Sequence, residues 1–289
     1  MKIVNIQGGL GNQMFQYALY LSLKKRYPNE VVRVDASHMA SYKLHNGLEL
    51  ERVFGIKLDQ ASKSELLKVT LPIKNYKLRS IIRRILPSRK TEVSDKGTNL
   101  DEIFRDGNLY LDGYWQNFRI FHPQVEKEIR DAFIFKLPLG LQNEQLLRDI
   151  QLDNKSVSIH IRRGDYLNNK WYVGLCGLDY YKLAIKYIQN NIDNPRFFIF
   201  SDDLNWIKEN IIPLLGSHKY QIINWNRGLN SALDVMMMSK CKTNIIANSS
   251  FSWWAAYLNI NPNKIVCAPK IWINNPGSTY RQMPEWILF

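Results

Sequence analysis

The chain has 289 residues, and its 39 Lys and Arg residues against 26 Asp and Glu residues give a formal net charge of +13. A composition of 45% hydrophobic and 12% aromatic residues excludes a disordered chain, because so much apolar surface would not stay solvated. Three cysteines, no apolar run long enough to span a bilayer and no N-terminal signal pattern lead us to expect a cytoplasmic protein without disulfides.

The first 35 residues predict a strand, a glycine-rich turn, a helix and a second strand. We place the strands at residues 2–6 and 31–34 and the helix at residues 12–27. This βαβ opening predicts a parallel sheet. The turn, residues 8–11, lacks the third glycine of a dinucleotide fingerprint and the Gly-Lys-Ser/Thr of a P-loop. It therefore indicates either close approach of a polar ligand or a plain tight turn.

Much of the positive charge is local. Residues 66–91 contain no acid and eight cations, which are Lys68, Lys74, Lys77, Arg79, Arg83, Arg84, Arg89 and Lys90. Apolar residues recur there at helical spacing, with Arg79, Arg83 and Arg84 largely between them. One interpretation is a helix whose cations face an anionic membrane or another polyanion. The other is a solvated helix whose apolar stripe packs on its own domain.

Further along, a strand at residues 108–115 and a helix at residues 123–133 complete the first domain. A polar stretch at residues 137–154, with a proline and a glycine, predicts a domain boundary. We therefore expect an N-terminal α/β domain at residues 1–150 and a second domain at residues 151–289, with a C-terminal tail that either stays there or returns to the first domain.

The second domain alternates short strands with helices. The predicted strands are residues 156–161, 196–200, 220–223, 244–247 and 264–267, and the helices are residues 178–192, 203–211, 230–241 and 250–258. This order is typical of a doubly wound sheet. The predicted fold class is α/β, with two Rossmann-like domains facing a cleft.

Ligands of such sheets bind beyond the carboxyl ends of the strands, so the residues after each strand are the first candidates. The first predicted strand of the second domain leads into His160, Arg162, Arg163 and Asp165. Guanidinium groups bind phosphate oxygens with two parallel hydrogen bonds, and two of them can neutralise a diphosphate. A surface ion-pair cluster is the alternative.

Two other strand ends carry polar residues. Asp202 and Asp203 follow the strand at residues 196–200, where a carboxylate can accept the two N–H groups of guanine. The alternative is that Ser201 or Asp202 caps a helix starting at Asp203. After the strand at residues 244–247, a helix begins near Ser249, Ser250 and Phe251, which indicates either an anion site or a plain N-cap before a core helix.

Several catalytic signatures are absent from the sequence. It contains no Asp-x-Asp metal clamp, no zinc spacing of histidines and cysteines, and no Gly-x-Ser-x-Gly turn. We therefore expect no metal or other cofactor, and expect arginines and a helix terminus to neutralise any bound phosphate.

Four segments together resemble the α-1,2-fucosyltransferases of glycosyltransferase family 11. They are GGLGNQMFQYA from Gly8, HIRRGDY from His160, FSDD from Phe200 and NSSFSWWAA from Asn248. The resemblance implies a B-type glycosyltransferase fold and the donor GDP-β-L-fucose. It also implies metal-free, inverting transfer to the 2-hydroxyl of a galactoside, in a surface glycan such as an O-antigen or in a free oligosaccharide.

The same resemblance implies roles for individual residues. His160 and Arg162 contact guanine and the β-phosphate, with Arg163 beside them, and Asp202 or Asp203 reads guanine. Ser249, Ser250 and the backbone of Phe251 hold the diphosphate. Gly11, Asn12 and Gln13 reach the fucose, and Asp165 is the candidate general base.

Two other functions remain open at this stage. One is a different nucleotide-sugar transferase of the same fold. The other is a basic protein that binds a polyanion or a membrane through residues 66–91. For the transferase, the partners are the donor and a β-galactoside acceptor, free or lipid-linked, with no nucleic acid. Such a protein would work in the cytoplasm or at the inner face of the membrane.

Overall fold

The computed structural model describes residues 1–42, 45–95, 101–275 and 281–289. The chain divides into two compact units, Met1–Leu137 and Pro138–Phe289. The second unit thus starts earlier than the predicted residue 151. The reason is a helix at Gly140–Leu152, where we predicted a polar boundary. Its Asn143 is hydrogen-bonded to Asn226 at 2.9 Å, which ties the helix to the second unit.

The first unit is built on a four-stranded parallel sheet with the order β2-β1-β4-β3. Its strands are β1 (Lys2–Asn5), β2 (Val32–Asp35), β3 (Glu92–Ser94) and β4 (Leu109–Asp112). The predicted parallel βαβ opening is confirmed. Strand β3 was not predicted, because three residues at the edge of a sheet leave almost no alternation in the sequence.

Six helices accompany this sheet among the described residues of the first unit: α1 (Leu10–Arg26), α2 (Leu50–Phe54), α3 (Lys63–Val69), α4 (Tyr76–Ile85), α5 (Asp101–Phe104) and α6 (Glu126–Ala132). Single 3₁₀ turns occur at Met39–Ser41 and Phe118–Ile120. Helix α1 begins directly after the glycine-rich turn, with Gly9 in extended conformation as its N-cap. It is mostly buried, with Leu19 and Leu23 inaccessible to solvent.

Helix α4 contradicts the interpretation in which its apolar stripe packs on its own domain, and it turns two cations of the basic segment inward. Its Arg79 is only 4% exposed and donates a hydrogen bond of 2.8 Å to the hydroxyl of Tyr110. Arg83 forms ion pairs with Asp112 and Glu92. These two cations therefore point into the unit rather than towards a membrane. The apolar residues of α4 point outward, because buried carboxylates at the ends of β2 and β4 attract the cationic face inward.

The second unit contains a six-stranded sheet with the order β10-β9-β8-β5-β6-β7, and every pairing is parallel. Its strands are β5 (Ser156–Ile161), β6 (Arg196–Ser201), β7 (Tyr220–Ile223), β8 (Thr243–Ile245), β9 (Val266–Ala268) and β10 (Ile287–Leu288). The five predicted strands are confirmed within two residues. Strand β10 pairs with β9, so the described tail stays in this unit and does not return to the first.

The helices of the second unit are α7 (Gly140–Leu152), α8 (Leu178–Asn191), α9 (Leu204–Trp206), α10 (Ile212–Leu215), α11 (Ala232–Lys240) and α12 (Ser250–Leu258). A π-helical turn, Ile207–Ile211, joins α9 to α10. The core centres on β5 and β6, whose Val157, Ile159 and Phe197 are fully buried beside Tyr181 of α8.

Two parallel sheets with helices between most successive strands confirm the predicted α/β class with two Rossmann-like units. In the described parts of the chain, every helix is too short or too polar to cross a bilayer.

Candidate active site

The candidate site lies at the carboxyl end of the second sheet. Strands β8, β5 and β6 are consecutive and parallel, so their carboxyl ends lie side by side. In doubly wound sheets this is where ligands bind. The three motifs from the sequence lie where these three strands end: residues 160–166 at the end of β5, 201–203 at the end of β6 and 248–251 after β8.

The turns after β5 and β6 interlock through Asp202 and Gly164. The backbone N–H of Arg163 donates to Asp202 Oδ1 at 3.0 Å. A Cβ atom at Gly164 would lie 2.8 Å from Asp202 Oδ2, closer than real contacts allow. Only glycine therefore lets the carboxylate lie over the turn, and Asp202 in return fixes the backbone that carries the two arginines.

Arg162 is held in place by two carboxylates but remains accessible. Its Nη2 lies 2.9 Å from Asp165 Oδ1, and its Nη1 lies 3.7 Å from Asp202 Oδ2. The guanidinium carbon stands 5.7 Å from the centre of the Tyr166 ring. Because the side chain is still 36% exposed, its fork is oriented in advance and can meet an anion from solvent.

Arg163 and Asp203 have a different environment. Arg163 Nε donates to Asp203 Oδ2 at 3.0 Å, and its guanidinium stacks 4.4 Å from the centre of the Trp206 ring. Asp203 Oδ1 accepts the backbone N–H of Trp206 at 3.1 Å, which makes Asp203 the N-cap of α9. Our prediction of Ser201 or Asp202 as the cap was wrong, because the helix begins one residue later, at Leu204.

His160 is buried in this site as a neutral imidazole. It is 6% exposed, and its Nδ1 has no hydrogen-bond partner among the described residues. Burial, and to a smaller extent the positive charge of Arg162, lower the pKa of His160 to about 3. Its ring centre lies 5.6 Å from that of Phe251, which joins the turns after β5 and β8. An unpartnered buried nitrogen is typical of a site that a ligand or water completes.

Helix α12 is both a capped core helix and a candidate anion site, the two alternatives that the sequence left open. Ser249 is its N-cap, and Ser249 Oγ accepts the backbone N–H of Phe251 at 3.3 Å. Trp253 and Trp254 are fully buried and anchor the helix in the core. The N-terminus of α12, starting at Ser250, is therefore held at the carboxyl end of the sheet, where its dipole favours an anion.

Sequence reasoning missed three residues of this region. Tyr166 Oη donates to the carbonyl of Asn248 at 3.4 Å, and Trp206 supports Arg163. Arg227 is exposed beyond β7, and its Nη2 donates to the carbonyl of Ser201 at 3.4 Å. The sequence could have indicated Arg227 as a candidate, because it is a cation that occurs shortly after a predicted strand.

The glycine-rich loop belongs to the first unit, and its side chains are engaged there. Gly8 adopts a φ of 80°, and a Cβ atom there would lie 2.7 Å from Asn12 Nδ2. Gln13 is buried, donates to the carbonyls of Gly8 and Gly47 at 2.8 Å each, and accepts the N–H of Glu49. Gln13 thus holds the loop in shape. Asn12 is half-buried and accepts a hydrogen bond from Gln116, while Gly11 is buried.

Acidic and metal-ligating side chains are dispersed. Within the described ranges, no three His, Cys, Asp or Glu residues lie close enough together to hold a metal ion. All three cysteines are free thiols, with Cys241 and Cys267 buried.

Comparison with known proteins identifies relatives across the whole chain. The model of the family described as "Glycosyl transferase family 11" matches residues 1–289. An Escherichia coli alpha-1,2-colitosyltransferase is 33% identical over 99% of this chain and 97% of its own length. The Escherichia coli O-antigen biosynthesis glycosyltransferase WbnK is 31% identical over 98% of each chain. A Bos taurus galactoside 2-alpha-L-fucosyltransferase, SEC1, is 23% identical over 98% of this chain and 72% of its own length.

Proposed function

The chain belongs to glycosyl transferase family 11, and from this premise we propose that it transfers L-fucose from GDP-β-L-fucose to the 2-hydroxyl of a terminal galactoside. The observation that carries the proposal is the interlocked carboxyl end of the second sheet, where Arg162, Asp202 and His160 converge. Two of the relatives described above are named for α-1,2 or 2-α transfer, which supports the linkage.

Arg162 is the group proposed to meet the leaving phosphate. When the bond from the sugar to GDP breaks, negative charge develops on the β-phosphate. A donor that is already oriented stabilises this charge without reorganisation. Asp165 and Asp202 orient Arg162 in this way, and the N-terminus of α12 with Ser249 and Ser250 supplies a second positive end. We propose that these groups neutralise the leaving phosphate without a metal.

Asp202 and His160 are proposed to read the base. Guanine presents two adjacent N–H donors, and a carboxylate accepts such a pair. Asp202 Oδ1 already accepts the N–H of Arg163, but each carboxylate oxygen has room for a second hydrogen bond. Asp203 is the weaker candidate, because Arg163 and the start of α9 engage both of its oxygens. The unpartnered Nδ1 of His160 supplies a further contact.

In the first unit, Gly11 and Asn12 are the proposed sugar contacts, and Gln13 maintains the loop that presents them. Asp165 stays a prediction as the base that takes the proton of the acceptor hydroxyl. Its carboxylate is 55% exposed and already paired with Arg162, so holding that arginine is a role the geometry supports directly. A base role requires the acid side of the pH profile of kcat to disappear in Asp165→Asn.

GDP-colitose is a second candidate donor, and one of the relatives supports it. The relative named as a colitosyltransferase shares 33% identity with the chain. Colitose is L-fucose without the 3-hydroxyl, so the same phosphate and guanine contacts serve both donors. The two donors differ only where the site contacts the hydroxyl at carbon 3. The acceptor is a galactoside, free or lipid-linked.

Competition between donors tests the proposal. GDP-fucose, GDP-colitose, GDP-mannose and UDP-galactose should be compared as competitors of labelled GDP binding to the wild-type protein and to Asp202→Asn. We expect the GDP-sugars to compete in the wild type and UDP-galactose to compete weakly, and we expect Asp202→Asn to lose the preference. Equal competition by UDP-galactose in the wild type would contradict the assignment of guanine recognition.

A further inference from the structure

The outward face of helix α4 is apolar and unusually exposed. Leu78, Ile81, Ile85 and Leu86 are 49%, 53%, 73% and 52% exposed. Because a helix turns about 100° per residue, Leu78, Ile81 and Ile85 share one side of it. We call these four residues the α4 apolar face. Leu86 follows directly after the helix, as its C-cap. Exposed large aliphatic side chains gathered in this way are typical of a surface that is covered by a partner.

The opposite side of the same helix anchors it to the first unit. Arg79 pairs with Asp35 and Asp112, and Arg83 pairs with Asp112 and Glu92. The orientation of the apolar face is therefore fixed by buried ion pairs. Rotating the helix to bury that face would leave these carboxylates without their cations, at a large cost.

The surroundings of this face are cationic. Lys77 and Arg84 are exposed on the strip of helix next to it, and the cations Lys68, Lys74, Arg89 and Lys90 are exposed before and after the helix. No acid occurs in residues 66–91. We propose that the α4 apolar face and its cations dock the protein on an anionic phospholipid surface.

Charge favours this occupant over the others. A second copy of the chain would bring two sets of cations face to face, which disfavours association. A nucleic acid would match the cations but would leave the isoleucines in water. A bilayer containing anionic lipid accommodates both features, since aliphatic side chains enter the acyl boundary while lysines and arginines stay at the phosphates. Docking of this kind places the protein at a lipid surface whichever nucleotide sugar is the donor.

Two double variants separate the two contributions. Ile81→Ser with Ile85→Ser removes apolar insertion, and Lys77→Gln with Arg84→Gln removes charge. Matched controls carry the same changes on the second unit: Leu141→Ser with Leu152→Ser, both highly exposed, and Lys182→Gln with Lys186→Gln. Arg79 and Arg83 are left intact, because replacing them would test folding rather than docking.

The measurement is co-sedimentation of the full chain with vesicles of phosphatidylglycerol and phosphatidylcholine, and with phosphatidylcholine alone. Binding should require phosphatidylglycerol. It should fall about 25-fold in the charge variant, since each of the two cations contributes about fivefold. It should fall about tenfold or more in the apolar variant, while both controls bind as wild type. Unchanged binding of either α4 variant would overturn the proposal. A dimer in light scattering that dissociates in the apolar variant would also overturn it, in favour of self-association.

Discussion

Replacing Gly164 by alanine tests the contact between the turns after β5 and β6 without removing a charged side chain. The new Cβ would lie 2.8 Å from Asp202 Oδ2, whereas a relaxed contact needs about 3.5 Å, so the carboxylate must retreat by more than half an ångström. Gly164 does not use a left-handed backbone, so alanine brings no strain of its own. The perturbation therefore acts on Asp202 alone.

The magnitude follows from the hydrogen bond that holds Asp202. A retreat of Oδ2 pulls Oδ1 away from the N–H of Arg163, to which it is bonded at 3.0 Å. The same retreat misplaces the carboxylate that is proposed to accept the N–H groups of guanine; because a hydrogen bond to a charged group contributes about 1.5–3 kcal/mol, GDP affinity should fall about ten- to a hundredfold. Unfolding free energy should fall by about 1–2 kcal/mol, which leaves the protein folded.

Isothermal titration with GDP measures this affinity directly. Gly177→Ala is the matched control, because its Cβ would find its nearest neighbour, the Gly174 carbonyl, at 3.8 Å. Since the effect passes through Asp202, adding Gly164→Ala to Asp202→Ala should cause no further loss. GDP affinity equal to wild type in Gly164→Ala, or additive losses in the double variant, would show that Gly164 does not act on GDP binding through Asp202.

Three further predictions concern charge at the same end of the sheet. Arg162→Lys keeps the charge but loses the fork, so kcat should fall by about 10² in a transfer assay with thermal stability unchanged; near-normal turnover would remove Arg162 from the leaving-group role. Activity should persist in EDTA, and complete loss that Mg²⁺ or Mn²⁺ restores would overturn the metal-free proposal. Burial raises the pKa of Asp234 from 3.8 to about 7, so the folded protein keeps a proton there that the unfolded chain has lost between those values. The free energy of unfolding should therefore fall by up to about 1.4 kcal/mol per unit as pH rises through that window. Urea titrations of wild type and Asp234→Asn should differ in this slope, and identical slopes would contradict it.

The central strands of the second sheet, β5, β6, β8 and β9, were predictable because they are buried on both faces. Strand β5, SVSIHI, is entirely buried, and such parallel strands appear in sequence as short continuous runs bounded by turns. Their order in the chain, with helices between them, fixed the doubly wound class and placed the motifs at one end of the sheet. The shortest edge strands, β3 and β10, carried too few residues for any pattern.

Other features depend on partners that are far apart in sequence. Periodicity showed that α4 is amphipathic, but only Asp35 and Asp112, contributed by distant strands, decide that its arginines face inward. In the same way, the sequence allowed either Asp202 or Asp203 to face a ligand. The hydrogen bonds from Arg163 and Trp206 decide that Asp203 is the cap. Local propensity predicts neither these ion pairs of α4 nor the hydrogen bond from Arg163 to Asp203, because the partners are distant in sequence.

The linkage of the reaction product decides whether the protein transfers L-fucose to the 2-hydroxyl of galactose. The purified protein should be incubated with GDP-β-L-fucose and a terminal β-galactoside, and the product linkage read by NMR. We expect an α-linked fucose on the 2-hydroxyl of galactose, formed with inversion from the β-linked donor. Transfer to another hydroxyl, a β-linked product, or transfer from GDP-colitose but not from GDP-fucose would contradict the proposed function.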